Sequence, residues 1–166
     1  MLGPGPARWL WLSLAILVVD RSTKAVIEAY TTENYHRNVV PGLITLVHSR
    51  NPGIAFGLLS DAGSKWVTVL LVGGSIVVIG LLAWLLVTGR AGRRNGQAGL
   101  ALILGGAAGN LTDRLLRGGV TDFFEVQLRG YHWPAFNFAD SAISVGAVLV
   151  VVELLFGDPH PTGEKA

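Results

Sequence analysis

Four apolar stretches of helical length punctuate the chain. The first runs from Trp9 to about Glu28 and is broken by Asp20, Arg21 and Lys24. The second, Trp66 to Val87, carries no charge. The third, Gln97 to about Leu116, is rich in Gly and Ala and has Asp113 and Arg114 near its end. The fourth, Phe138 to Phe156, has Asp140 in its first turn and Glu153 in its last. A hydrocarbon core about 30 Å thick takes roughly 20 helical residues. The pattern predicts an all-α membrane protein of four transmembrane helices, near residues 9–28, 66–87, 97–116 and 138–156, in a single integral membrane domain over 1–166.

The longer connections, near 29–65 and 117–137, are more than linkers. Val39–Val40 and Leu43–Val47 are rich in β-branched and apolar residues, and Pro41-Gly42 between them signals a turn. Val120–Leu128 also reads as a strand, with Arg129-Gly130 as its turn. These predict a small β element. Residues Asn51 to Gly57 are apolar and glycine-bearing, as in an interfacial or re-entrant segment ahead of the second helix.

Composition agrees with the pattern. Of 166 residues, 51% are hydrophobic and 14% charged, and the mean hydropathy is +0.50. Soluble domains carry about 25% charged residues, and disordered chains combine low hydrophobicity with high net charge. Neither class fits. There is no cysteine, so disulfide frameworks, thiolate metal sites and thiol nucleophiles are excluded. The net charge of +2 speaks of topology before any nucleic-acid partner. Arg8, the Arg90–Arg93–Arg94 connection and Lys165 all fall on one side if both termini are cytoplasmic. The start, Arg8 followed by an apolar run to Val19, looks like a signal peptide, but Asp20-Arg21 stands where a small-residue cleavage site belongs. An uncleaved first helix is the better reading.

Ionisable groups within a span cost about 2.5–3.5 kcal/mol on insertion scales and are functional candidates by default. With the topology above, Asp20, Asp113, Asp122 and Asp140 converge near the outer interface, and Glu153 lies at the other end. In the structural reading each supports the fold. Asp140 sits near a helix N-terminus, Asp113 is next to Arg114, and Asp20 and Lys24 are spaced i, i+4 as in an ion pair. In the catalytic reading two carboxylates share a proton, one activating water while the other polarises a carbonyl. Spacing alone does not name the two. His36, His48, His132 and His160 are scattered without metal-ligand spacing, and no G-x-S-x-G occurs. Gly105 and Gly109 form a G-x-x-x-G that lets helices approach closely and fixes where Asn110 and Asp113 point. A small ion- or proton-coupled transporter, with the Asp residues as a relay, is the alternative class, although no inverted repeat is visible. A membrane scaffold is the third.

Five blocks, taken together, resemble the bacterial lipoprotein signal peptidases (signal peptidase II) over essentially the whole chain. They are Asp20-x-x-Thr23-Lys24, Asn51-x-Gly53-x-Ala55-Phe56-Gly57, Gly106-Ala107-x-Gly109-Asn110-x-x-Asp113-Arg114, Val120-x-Asp122-Phe123 and Phe136-Asn137-x-Ala139-Asp140-x-x-Ile143. The resemblance implies a metal-independent aspartic endopeptidase of the bacterial cytoplasmic membrane, without cofactor. Its substrates would be diacylglyceryl-modified prolipoproteins cut before the lipidated cysteine. Membrane lipids and globomycin-type inhibitors would be its other partners, with no nucleic acid. It implies Asp122 and Asp140 as the catalytic pair. Asn51, Gly53, Phe56, Asn110, Asp113, Arg114, Asn137 and Ala139 would bind substrate or hold the pair, and Asp20 and Lys24 would support the site. Ile54 departs from the family, where a small residue is usual.

Overall fold

The computed structural model describes residues 6–53 and 65–156. Four helices, α1 (Trp9–Tyr30), α2 (Lys65–Val87), α3 (Arg94–Arg117) and α4 (Phe138–Phe156), carry four strands between them. Strands β1 (His36–Val40) and β2 (Ile44–Asn51) follow α1, and β3 (Val120–Leu128) and β4 (Tyr131–Phe136) follow α3. The helices lie where the apolar stretches predict. The first and third run further than expected, to Tyr30 and from Arg94 to Arg117.

Two kinds of helix result. Among the described residues, α2 and α4 are long and apolar enough to cross a membrane, and most of each lies on the outside. Helix α1 fails that criterion because it holds Asp20, Arg21 and Lys24, and α3 because its glycines, Asn95, Gln97 and Asn110 lower its hydropathy along with its charges. Their charges turn inward: Asp20 and Lys24 are buried on α1, and Asn110 and Asp113 on α3. The polar helices thus form the interior and the apolar ones present Leu, Val and Ile outward, the reverse of a soluble bundle.

Helix α3 is central and packs on α4, α1 and α2. Its glycines set the spacing. A Cβ at Gly106 would lie 2.5 Å from the Ala139 carbonyl oxygen, and one at Gly99 would lie 2.6 Å from that of Gly146, both on α4. Gly105 meets the Ser13 carbonyl of α1, and Gly109 meets the Asp20 carboxylate. The expected G-x-x-x-G therefore faces α1, while a seven-residue glycine spacing faces α4. The apolar core, Leu82, Leu86, Ala91, Ala101 and Leu104, sits where α2 and α3 meet, towards the connection between them.

The β element is larger than the sequence suggests. Two hairpins join through β2 and β3 into one antiparallel sheet of order β1-β2-β3-β4. Pro41 and Gly42 (φ +73°) make the first turn, closed by Leu43 N–H to the Val40 carbonyl. Arg129 and Gly130, both with positive φ, make the tight second turn. Asn51, expected at the head of an interfacial segment, is instead the last residue of β2, paired with Val120. Residues 54–57 of that segment, Phe56 and Ile54 included, lie outside the described residues.

Candidate active site

The site is built around the start of α4. Asn137 caps the helix: its Oδ1 accepts from Asp140 N–H at 3.0 Å, and the Asp140 carboxylate accepts from Asn137 N–H at 3.2 Å. This reciprocal pair is a capping box, with Asn at the cap and Asp three residues on. The Asn137 side chain then has its NH2 left to donate. It donates to Asp122 Oδ1 at 2.7 Å and to Asn110 Oδ1 at 3.3 Å. One buried amide therefore ties Asp122 on β3 to Asp140 on α4.

Asp122 reaches this point because of the sheet register. It opposes Ser49, and Asn51 opposes Val120. Side chains two apart on β3 share a face, so Asn51 and Asp122 are diagonal neighbours. Asn51 Nδ2 donates to Asp122 Oδ2 at 3.2 Å, while its Oδ1 accepts from Gly53 N–H at 2.9 Å. Burial raises the Asp122 carboxyl, and the nearby Asp140 carboxylate raises it further. Bonds from Asn137 and Asn51 and the Lys24 charge pull it back, leaving it at about 6.

Beneath the two carboxylates lies Lys24. Asp20, Lys24 and Asp113 are each 0% exposed. Lys24 Nζ meets Asp20 Oδ2 at 2.8 Å, Asp113 Oδ2 at 2.9 Å and Asn110 Oδ1 at 2.9 Å. An ammonium has only donors, so the Asn110 atom facing it is the carbonyl oxygen. The Asn110 NH2 is thereby turned to Asp140, donating to Oδ1 at 2.8 Å. The other Asp20 oxygen accepts from Ala139 N–H at 2.9 Å, so a carboxylate of α1 caps α4 from outside the helix. Lys24 thus holds together α1, α3 and, through Asn110 and Asp20, the first turn of α4.

The spacing i, i+4 of Asp20 and Lys24 does mark an ion pair, and the capping reading of Asp140 also holds. The pairing of Asp113 with Arg114 does not. Adjacent helical residues point about 100° apart, and Asp113 instead receives Arg21, Lys24 and, more distantly, Arg117. Arg114 turns to the Asn110 carbonyl at 3.3 Å. Its Nε is buried without a protein partner.

Asn51, Gly53, Arg114, Asp122 and Asp140 line one cavity of about 460 Å³. Its remaining wall is Leu71 of α2 and Tyr131, Trp133, Pro134, Ala135 and Phe136 of β4. One side of the cavity is therefore carboxylate, amide and guanidinium, and the other is aromatic and aliphatic. Asn110, Asn137, Asp113, Ala139, Asp20 and Lys24 stand behind the polar wall and do not line the cavity.

Sequence reasoning missed Arg21, Glu28, Arg117 and Thr121. Glu28 accepts from Arg117 Nη2 at 2.5 Å and from Thr121 Oγ1 at 2.8 Å, clamping the ends of α1 and α3 to β3. Glu28 lies two turns beyond Asp20 on the same face, a periodicity that reveals it once α1 is extended to Tyr30. It missed the β4 wall as well, since Tyr131 and Trp133 lie outside the five motif blocks.

Two solved structures, each described as a bacterial membrane enzyme determined by the in meso method, share the architecture. One, at 2.3 Å resolution, superposes with a TM-score of 0.78 at 28% identity, covering 90% of this chain and 88% of that one. The other, at 1.9 Å, gives 0.78 at 26% identity over 92% and 95%. The fold is thus that of a bacterial membrane enzyme. A family model for signal peptidase (SPase) II matches residues 12–156. Lipoprotein signal peptidases of Solibacter usitatus (43% identical, 89% of this chain and 92% of that protein) and Xylella fastidiosa strain M12 (40%, 95% and 93%) align over nearly the whole length. The chain belongs to the signal peptidase II family. It is an aspartic peptidase that removes signal peptides from lipoprotein precursors, which displaces the transporter and scaffold readings.

Proposed function

We propose that Asp122 and Asp140 are the catalytic pair. In this reading they hydrolyse the peptide bond before the lipidated cysteine of a diacylglyceryl-modified prolipoprotein. The observation that carries this is Asn137, whose side-chain NH2 donates to the Asp122 carboxylate and whose backbone N–H donates to that of Asp140, both of which line one half-apolar cavity. Asp122, raised to about 6, holds the shared proton and hydrogen-bonds the scissile carbonyl. Asp140 takes a proton from water as the oxygen attacks that carbonyl. The tetrahedral intermediate collapses as a proton passes to the departing cysteine nitrogen, freeing the signal peptide's new carboxyl terminus. Arg114 and Asn51 orient the peptide and stabilise the developing oxyanion. Gly53 and residues of the adjoining segment, Phe56 among them, flank the substrate, and the β4 wall with Leu71 receives apolar substrate. Asp113, Asn110, Asn137, Ala139, Asp20 and Lys24 are positioning residues.

All four helices cross the cytoplasmic membrane in this reading, with both termini inside and the sheet at the outer face. Two observations support it. Arg8, Arg90, Arg93, Arg94 and Glu153 gather at one end of the bundle, where Glu153 accepts from Arg93 N–H at 2.9 Å. The sheet and the carboxylates gather at the other. A globomycin-type inhibitor would enter the same cavity in competition with the prolipoprotein. The test is cleavage of a lipidated precursor by purified Asp122→Asn and Asp140→Asn enzymes. Both should lose at least about 1,000-fold in rate, within the span of single catalytic-residue losses, while remaining folded. Near wild-type cleavage by either refutes the pair.

A further inference from the structure

The end of the bundle opposite the active site holds a second cavity, of about 500 Å³, lined by Arg8, Trp9, Leu12 and Arg94. Neither Arg8 nor Arg94 pairs with a carboxylate among the described residues. Glu153, which lines a neighbouring cavity with Arg93 and Arg94, accepts from Arg93 N–H. Arg94 opens α3, whose first turn contains no acidic residue to offset the helix dipole. Arg8 lies over the Trp9 ring at 5.3 Å. The Trp9 indole Nε1 is buried and has no hydrogen-bond acceptor among the described residues, and a buried donor left unmet is unfavourable. Leu12, one turn along α1, gives the cavity an apolar side.

We propose that this cavity binds the phosphate headgroup of an anionic phospholipid from the cytoplasmic leaflet. Two guanidiniums offer forked donors matched to phosphate oxygens, and the helix N-terminus adds its own positive field. The Trp9 indole supplies a third donor at the depth where interfacial tryptophans sit. Leu12 lies along the start of the acyl chain. Charge, the unmet donor and the apolar side are satisfied together by a lipid, whereas a free phosphate leaves the apolar side wet. The inference rests on the four-span reading given above, and not on the identity of the catalytic pair.

The test uses the purified full chain in neutral detergent. Binding of phosphatidylglycerol, phosphatidylcholine and inorganic phosphate is compared by native mass spectrometry and by the shift in thermal unfolding. Phosphatidylglycerol should be retained over phosphatidylcholine on the order of thirtyfold, the factor given by about 1 kcal/mol from each of two basic residues near an anionic headgroup. Arg8→Gln/Arg94→Gln should erase that preference. Arg8→Lys/Arg94→Lys keeps the charge that orients the chain in the membrane and should retain only part of it. Trp9→Phe, which keeps the ring and loses the N–H, should weaken it also. Cleavage of a lipidated precursor, measured on the same samples, should persist in the Lys variant and reports separately on the active site. Equal retention of the two lipids by the wild type, an undiminished preference in the Gln or Lys variant, or stabilisation by inorganic phosphate equal to that by the lipid would each overturn the proposal.

Discussion

Gly106→Ala gives the sharpest test of how packing positions the carboxylates. The new methyl group would lie 2.5 Å from the Ala139 carbonyl oxygen and 2.8 Å from Ile143 Cγ1, whereas ordinary contact begins near 3.4 Å. Relief needs a shift of α4 by about 0.9 Å at the residue before Asp140, the difference between those distances. The Asn110 to Asp140 bond of 2.8 Å then stretches beyond bonding range. A misplacement of that size costs about 100-fold in rate, and the overpacking costs about 1–3 kcal/mol of stability. Gly99→Ala is the control. Its methyl would lie 2.6 Å from the Gly146 oxygen on the same helix pair, but two turns, about 10 Å, further from the site. It should lower the unfolding midpoint similarly and leave the turnover number within a few-fold of wild type. The assay is initial-rate release of signal peptide from a lipidated precursor in mixed micelles, paired with thermal unfolding of each variant. Equal losses of turnover in the two variants, or full turnover by a destabilised Gly106→Ala enzyme, would show that spacing between α3 and α4 does not set the geometry of the pair.

Two further outcomes follow from the same contacts. Asn137→Ser retains a capping oxygen but not the amide donor to Asp122; both it and Asn137→Ala should lose most activity, while the Ser variant should be the more stable by about 1 kcal/mol from the cap, as read by cleavage rate and unfolding midpoint. Asp122 is raised from 3.8 to about 6, so the folded state holds its proton more tightly than the unfolded one. Its stabilising contribution is complete below about pH 4 and is lost as pH rises through about 6, on the order of 3 kcal/mol in all. Asp122→Asn should flatten that segment of the midpoint-against-pH curve, and an unchanged slope would count against the shift.

How much was legible follows from the range of each interaction. The helices were visible because apolar runs of about 20 residues declare themselves locally. Both turns were visible for the same reason, since Pro41-Gly42 and Arg129-Gly130 are short-range signals. The five motif blocks brought Asp122, Asp140, Asn51, Asn110 and Asn137 forward through resemblance. Spacing alone placed Asp20 with Lys24 and left the catalytic pair unnamed. It also sets Asp113 beside Arg114, yet neighbours in sequence point about 100° apart on a helix, and Asp113 meets Arg21 and Lys24 instead.

The sequence by itself determined the membrane character, the number of helices and the places where charge enters them. These depend on hydropathy summed over neighbours. Only the tertiary structure decided which charges meet. Lys24 is shared by Asp20, Asp113 and Asn110 because glycines at 105, 106 and 109 let α1 and α4 close on α3. Asp122 faces Asp140 because β2 and β3 pair in a register that no local signal specifies. In a low-dielectric interior each of those ionisable groups requires a partner. Apart from local pairs such as Asp20 with Lys24, the partners lie tens of residues away, so only the folded chain reveals them.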